Sequence, residues 1–220
     1  MGEPNLTQPC SKSLPPRRRD AVSTRRKLLQ AARQEFARSG LAGARVDVIA
    51  AKAGVNKQLV YHYFGDKDAM YLAVLEWIYD EIKHYEDRLK LRDLAPEQTI
   101  RKLIESSFDY LALHRDFVTL LNDENRLGAP HIRGFRKFVD ISSPLLAVIK
   151  KALSQGARGG LFRKGVNPEQ LCISIAGLSY FYFSGMPTLS AVFKQDLATT
   201  AALRKRRKHV VDLVMQSLRP

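Results

Sequence analysis

Residues 46–67, VDVIAAKAGVNKQLVYHYFGDK, read as two short helices joined by a tight corner and running into a third. Val46, Ile49, Ala50 and Ala53 recur at i, i+3, i+4 and i+7, one apolar stripe on a first helix. Gly54 follows and can take the left-handed conformation that ends a helix and turns the chain. Val55 plugs the corner, and Asn56 is a good N-cap for the next helix. There Val60 and Phe64, an i, i+4 pair, point inward, leaving Asn56, Lys57, Gln58, Leu59, Tyr61, His62 and Tyr63 outside.

That outer face points to DNA. Amide side chains pair with base edges, and lysine and tyrosine reach phosphates. A leucine exposed at a helix tip makes sense against an apolar partner such as a thymine methyl. The competing reading is an ordinary polar surface helix in an all-helical bundle.

Charge supports the first reading. The 220 residues carry a formal net charge of +14, which implies a polyanionic partner, nucleic acid or an acidic membrane. Between Arg17 and Lys67 the acids are Asp20, Glu35, Asp47 and Asp66, among many Lys and Arg. Cys10 and Cys172 have neither disulfide-framework nor zinc spacing, which suits a reducing compartment. The start of the chain shows no signal-peptide pattern, and the longest apolar stretch, 171–183, is too short to span a bilayer. A soluble, cytoplasmic protein is expected.

The expected fold class is all-α: an N-terminal three-helix helix-turn-helix domain and a C-terminal helical domain for ligand binding and dimerisation. Residues 1–19 are expected to form a disordered basic arm, 20–67 the DNA-binding domain and 68–220 the second domain. Residues 1–16 are rich in Pro, Ser, Gly and Asn, and Arg17, Arg18 and Arg19 close the arm either as a minor-groove anchor or as a solvated charge run. A first helix spans Asp20 to Ser39, with Leu28, Leu29, Ala32 and Phe36 inward and Gly40 ending it. Asp66 caps a long helix to about Lys90, apolar on two sides: Met70, Val74, Trp77 and Leu72, Leu75, Tyr79, Ile82. Such a helix can connect two domains. Lys67 in its first turn opposes the helix dipole, which becomes sensible beside a phosphate.

Further helices begin at Pro96 and near Phe117. Gly128-Ala129-Pro130 breaks the chain, and Ser142-Ser143-Pro144 is expected to interrupt a helix from Ile132 to about Gln155. Asn167-Pro168 starts a helix to Ser184 that is apolar nearly all round, and a last helix covers about Thr199 to Leu218.

Leu28, Leu29, Ala31, Ala32, Phe36 and Gly40, then Ile49-Ala50, Ala53-Gly54-Val55, Val60-Tyr61, Tyr63-Phe64 and Lys67, resemble the TetR family of bacterial transcriptional regulators, over roughly Arg25 to Val74. The resemblance implies a helix-turn-helix whose second helix enters the major groove. It implies phosphate contacts at Tyr61, Tyr63 and Lys67, base contacts from Lys57, Gln58 and Leu59, and His62 near the groove. Arg45 stands where many members have a capping Ser or Thr, so the cap is weaker, though Arg45 can itself reach a phosphate. Gln58 and Leu59 replace small residues of many members, so the target sequence differs. Residues 160–193, GLFRKGVNPEQLCISIAGLSYFYFSGMPTLSAVF, look like one branch of the family's ligand-binding domains, whose members answer to small catabolic or toxic molecules.

Trp77, Phe108, Phe117, Phe135, Phe138, Tyr180 and Tyr182 are either pocket wall or core. Glu124 falls on an apolar helix face at i+7 from Phe117. With Asn125 it is either a polar pocket group or half of a helix-to-helix hydrogen bond. The ligand-binding set is therefore Trp77, Phe108, Phe117, Glu124, Asn125 and Tyr180. His114, at a helix end, is placed to be an imidazolium favoured by the dipole. His131 lies just after a breaker, and neither histidine has a second ligand at metal spacing, so no metal and no cofactor is expected. The G-x-S-x-G elbow, H-E-x-x-H, P-loop and dinucleotide fingerprint are missing, so enzymatic activity is not expected.

The expected function is a homodimeric, ligand-responsive repressor on a palindromic operator, paired through the 168–184 helix and the last helix, and released by a small-molecule inducer. A corepressor-dependent regulator, a non-specific DNA-binding protein and a helical enzyme with a basic face are the alternatives.

Overall fold

The computed structural model describes the backbone of residues 16–133 and 136–220 and the side chains of 20–133 and 144–220. The expectations for 1–15, for the side chains of Arg17, Arg18 and Arg19, and for Phe135 and Phe138 lie outside the described residues.

Eleven α-helices are described: α1 Pro16–Gly43, α2 Val46–Ala53, α3 Lys57–Phe64, α4 Lys67–Arg88, α5 Pro96–Leu113, α6 Arg115–Arg126, α7 Pro130–Arg133, α8 Arg136–Arg158, α9 Pro168–Ser184, α10 Met186–Phe193 and α11 Thr200–Ser217. A 3₁₀ turn, Leu91–Asp93, joins α4 to α5.

Local chemistry sets most boundaries. Gly54 takes φ 68° and ψ 34° and caps α2. The Asn56 side chain accepts from the Gln58 N–H at 2.9 Å and starts α3. Asp66 does the same for α4 through Ala69 at 2.7 Å. Asn167 accepts from Glu169 and Gln170 at the head of α9, with Pro168 in its first turn.

Two expectations change. The first helix begins at Pro16, four residues early, because proline is at home in a first turn. Pro144 lies inside α8, on its exposed surface, and does not interrupt it. Proline lacks one N–H, and packing along the remainder of the helix outweighs that loss.

Gly40 does break α1, with φ 66° and ψ 172°, a region open essentially to glycine alone. A Cβ there would also stand 3.1 Å from the Asp123 carboxylate on α6. Gly40→Ala is expected to cost about 1–3 kcal/mol of folding stability, measured by urea unfolding.

Two cores share α5 and α9. The first joins α1–α4 to α6 through Leu28, Phe36, Ile49, Val60, Met70, Val74 and Leu120. It takes Phe108, Tyr110 and Leu111 from α5 and Tyr182 and Phe183 from α9. The second joins α8 and α11 to Leu103 and Ile104 of α5 and Leu171 and Ile175 of α9. On α4, Tyr71 and Ile78, outside both expected stripes, are fully buried, while Trp77 and Tyr79 are half-buried. The expected boundary at residue 67 falls at the head of α4, whose buried residues pack against α1.

A helix as apolar all round as α9 is expected to be buried on most sides, and within the single chain it is not. Ile173 and Phe181 are about three-fifths exposed, as are Val192 and Phe193 on α10, and Leu213 of α11 is partly so.

Candidate nucleic-acid interface and effector cavity

Helix α3 is eight residues long and Val60, 1% exposed, is its one fully buried side chain. So short a helix is marginal alone and holds its shape because α2 and α4 hold it. Phe64 is half-buried under the Arg25 guanidinium, 5.4 Å from its ring. Lys57, Gln58, Leu59, Tyr61 and His62 remain exposed, Leu59 at 38% and Tyr61 at 45%. The Lys57 ammonium lies 6.0 Å from the Tyr61 ring, so the two share one patch.

Three expected contacts are engaged within the protein, Asn56 in the capping role the sequence already assigns it. Tyr63 is half-buried and packs on the core beside Phe64, because the inward stripe of α3 is wider than an i, i+4 pair. The Asn56 carbonyl oxygen is occupied as the cap, which leaves its amide N–H groups as donors. Lys67 has a structural task as well: its amine donates to the carbonyls of Ala42 at 3.2 Å and Ala44 at 3.4 Å, clasping the α1–α2 turn. Two of three ammonium protons are so engaged and one is left for a phosphate.

Two of the four acids in the DNA-facing unit, Glu35 and Asp47, are neutralised locally. Arg45 pairs with Asp47 at 2.6 Å on the surface and leaves α2 without a side-chain cap. Exposed pairs are weak, so Arg45 can trade Asp47 for a phosphate. The Glu35 side chain has no exposed surface: Arg38 covers it at 2.9 Å and Lys52, from α2, at 3.1 Å. The Arg38 hydrogen bonds hold its carboxyl below the usual range against its burial, with Lys52 adding to them.

At the boundary of the two cores lies a cavity of about 540 Å³. Ile82, Leu103, Leu111, Leu121 and Ile175 make it largely apolar; Tyr85, Tyr110, Phe117 and Tyr180 add aromatic walls; Glu86, Ser179 and Asn125 are among its polar groups. The Tyr180 hydroxyl donates to the Asn122 side chain and receives the Asn125 amide at 3.5 Å. The hydroxyls of Tyr110 and Ser179 are buried and have no hydrogen-bond partner among the described residues. Burial pushes the Tyr110 phenol up and lifts the Glu86 carboxyl to about 7, with Asp87 adding to the latter.

Of the six expected ligand residues, the cavity gathers Phe117, Asn125 and Tyr180; the others lie elsewhere. Trp77 lies under the Arg33 guanidinium at 5.5 Å. Phe108 packs 4.8 Å from Phe183 in the core, turned away from the α5 face that carries Leu103, Ser107 and Tyr110. Glu124, without exposed surface, holds the His131 Nδ1 at 2.7 Å and its backbone N–H at 3.3 Å, the helix-to-helix alternative. The sequence reading missed Tyr85, Glu86, Tyr110, Cys172 and Ser179. A signal was present: Glu86 stands four residues after Ile82, an acid continuing an apolar stripe.

Between cavity and DNA unit sits a polar junction. Arg33 of α1 donates to Glu81 of α4 at 2.6 Å, and to Asp116 of α6 through both Nε and the second terminal nitrogen, the latter at 3.1 Å. The same terminal nitrogen lies 3.2 Å from His114 Nδ1. Burial alone would lower the Arg33 pKa, but Asp116 and Glu81 hold it above its usual value; burial would raise Asp116, and Arg33 keeps it low. His114 is not placed as an imidazolium: burial, then the Arg33 charge, pull its pKa down. The Tyr110 ring stacks on His114, centroids 4.2 Å apart, and Phe117 follows Asp116 directly, so two cavity walls abut this junction.

The sequence pattern of bacterial regulatory proteins of the tetR family matches residues 28–74, and that of the tetracyclin repressor-like C-terminal domain matches residues 96–214. The transcriptional repressor NicS of Pseudomonas putida is 34% identical over 203 residues, covering 92% of this chain and 96% of its own. The regulator RutR of Escherichia coli is 28% identical over 226 residues, covering 98% and 100%. Among solved structures, the transcriptional regulator SCO4942 from Streptomyces coelicolor shares the fold with a TM-score of 0.66 at 28% identity, covering 90% of this chain and 99% of that one. FadR from Bacillus subtilis, solved in complex with stearoyl-CoA, reaches 0.66 at 19% identity, covering 88% and 98%, and speaks to the fold alone. The chain belongs to the TetR family of bacterial transcriptional regulators. It is a DNA-binding transcriptional regulator of the helix-turn-helix type. No described helix is long and apolar enough to cross a membrane.

Proposed function

We propose that this protein is a cytoplasmic, non-enzymatic repressor. Two α3 helices of a dimer read a palindromic operator, and a molecule filling the 540 Å³ cavity releases them. The Arg33 junction carries the proposal, because it ties the helix behind the DNA unit to α4 and α6, where the cavity walls begin. A ligand moving Tyr110 or Phe117 favours one arrangement of that junction over another. It shifts DNA affinity only by its differential affinity, ~1–3 kcal/mol of coupling. The exposed apolar side chains Ile173, Phe181 and Leu213 supply the pairing face on α9 and α11. They fit the isologous four-helix interface that brings two reading heads onto one operator.

Selection of bound duplexes from a random pool tests the proposal, with an inverted repeat as the expected product. On the selected site, Gln58→Ala should lower preference over random DNA by about 1–3 kcal/mol. An unchanged ratio removes Gln58 from base readout. Lys67→Ala should weaken all sequences alike and reduce the log–log salt slope by about one. If stability falls while the slope stays, the lysine serves the α1–α2 turn alone.

A further inference from the structure

The cavity has a charge character of its own. Among the described residues that line it there is no Lys, Arg or His, and Glu86 is the one carboxyl. Glu86 has no hydrogen-bond or ion-pair partner among the described residues, and its charge is felt at Cys172 and Tyr110, on two other walls. Among these described residues a carboxylate or phosphate on a ligand finds no counter-charge, and Glu86 repels it. A cation would find a carboxylate and the faces of Tyr85, Tyr110, Phe117 and Tyr180. Burial lifts the Glu86 carboxyl to about 7, the response of an acid left unpaired in an apolar site, and a neighbouring cation reverses it.

Placement agrees. Glu86 and Leu145 also line a second hollow of about 330 Å³, bounded by Asp87, Lys90, Arg92 and Asp93 and far more polar. The carboxyl therefore stands at the threshold between a polar hollow and the apolar interior. Tyr110 and Ser179, buried and without a partner among the described residues, add two hydroxyls for a polar substituent.

We propose that the effector is an organic cation, an aromatic or branched-alkyl body bearing one protonated or quaternary nitrogen, seated with that nitrogen against Glu86. The proposal rests on the cavity being the effector site.

Binding to the full chain is measured calorimetrically for three probes of one size: benzyltrimethylammonium, its uncharged isostere neopentylbenzene, and phenylacetate. The cation is expected to bind ~10-fold or more tightly than either of the others. Glu86→Gln should erase that preference, leave neopentylbenzene unchanged, and melt no lower than the wild type, since it removes a half-buried acid that has no partner among the described residues. The proposal is overturned if phenylacetate or neopentylbenzene matches the cation, if the preference survives Glu86→Gln, or if no probe binds. Ser107→Phe, which fills the cavity from α5, separates the two levels. Uncharged binding that this variant abolishes keeps the cavity as the effector site while the cation proposal fails. Binding of any probe that ignores Ser107→Phe removes the cavity reading itself.

Discussion

Arg33→Met should lower folding stability by about 2–3 kcal/mol and disconnect effector from DNA. Arg33 is almost buried and is the shared partner of Glu81 and Asp116, each about one-third exposed. Methionine fills similar volume but leaves both acids facing each other without a cation. Removing one side of a fully buried pair costs ~3–5 kcal/mol, and the partial exposure of the acids brings that down. For a chain of this length the loss is a drop of about 5–10 °C in melting temperature.

The pH dependence has a definite sign. Asp116 has a folded pKa below its ordinary 3.8, so its contribution is complete above that value and disappears as pH falls through the folded one. In Arg33→Met this acid-side contribution should vanish. The functional readout is sharper: a ligand that weakens DNA binding in the wild type should still bind the variant but no longer change its DNA affinity. If the ligand's effect on DNA is the same in both proteins, coupling runs through some other contact between α1, α4 and α6.

Val60→Asp should abolish operator binding while leaving the cavity able to bind ligand. Val60 is the single fully buried residue of α3. Burying a carboxylate there costs several kcal/mol, more than eight residues of helix can supply. The cheapest response is for α3 to leave its seat, taking Lys57, Gln58 and Tyr61 with it. Affinity should fall to the non-specific level, ~10³-fold or more below the wild type, in a gel-shift titration at fixed salt. Calorimetric binding of a cavity ligand and the greater part of the helical circular dichroism should persist, since no residue of α3 lines the cavity. Operator binding within tenfold of the wild type would mean that α3 does not read DNA.

The sequence alone was sufficient for the helix-turn-helix and for the all-helical class. Those depend on neighbours in the chain: a stripe at helical spacing, Gly54 in the left-handed region, and Asn56, Asp66 and Asn167 as caps. The exposed set Lys57, Gln58, Leu59, Tyr61 and His62 was legible for the same reason, since helical geometry assigns faces within eight residues. Tertiary structure decided what meets what. Whether Tyr63 and Lys67 face solvent or their own protein depends on the α1–α2 turn and the core that come to rest against them. Whether Phe108 or Tyr110 faces a cavity, and whether Glu124 meets a ligand or His131, depends on the rotation of α5 and the path after Gly128. Arg33, Glu81 and Asp116 lie up to 83 residues apart in the chain, and no local pattern pairs them. An ion pair or a cavity is a relation between distant surfaces, settled only when the whole set of helices packs at once.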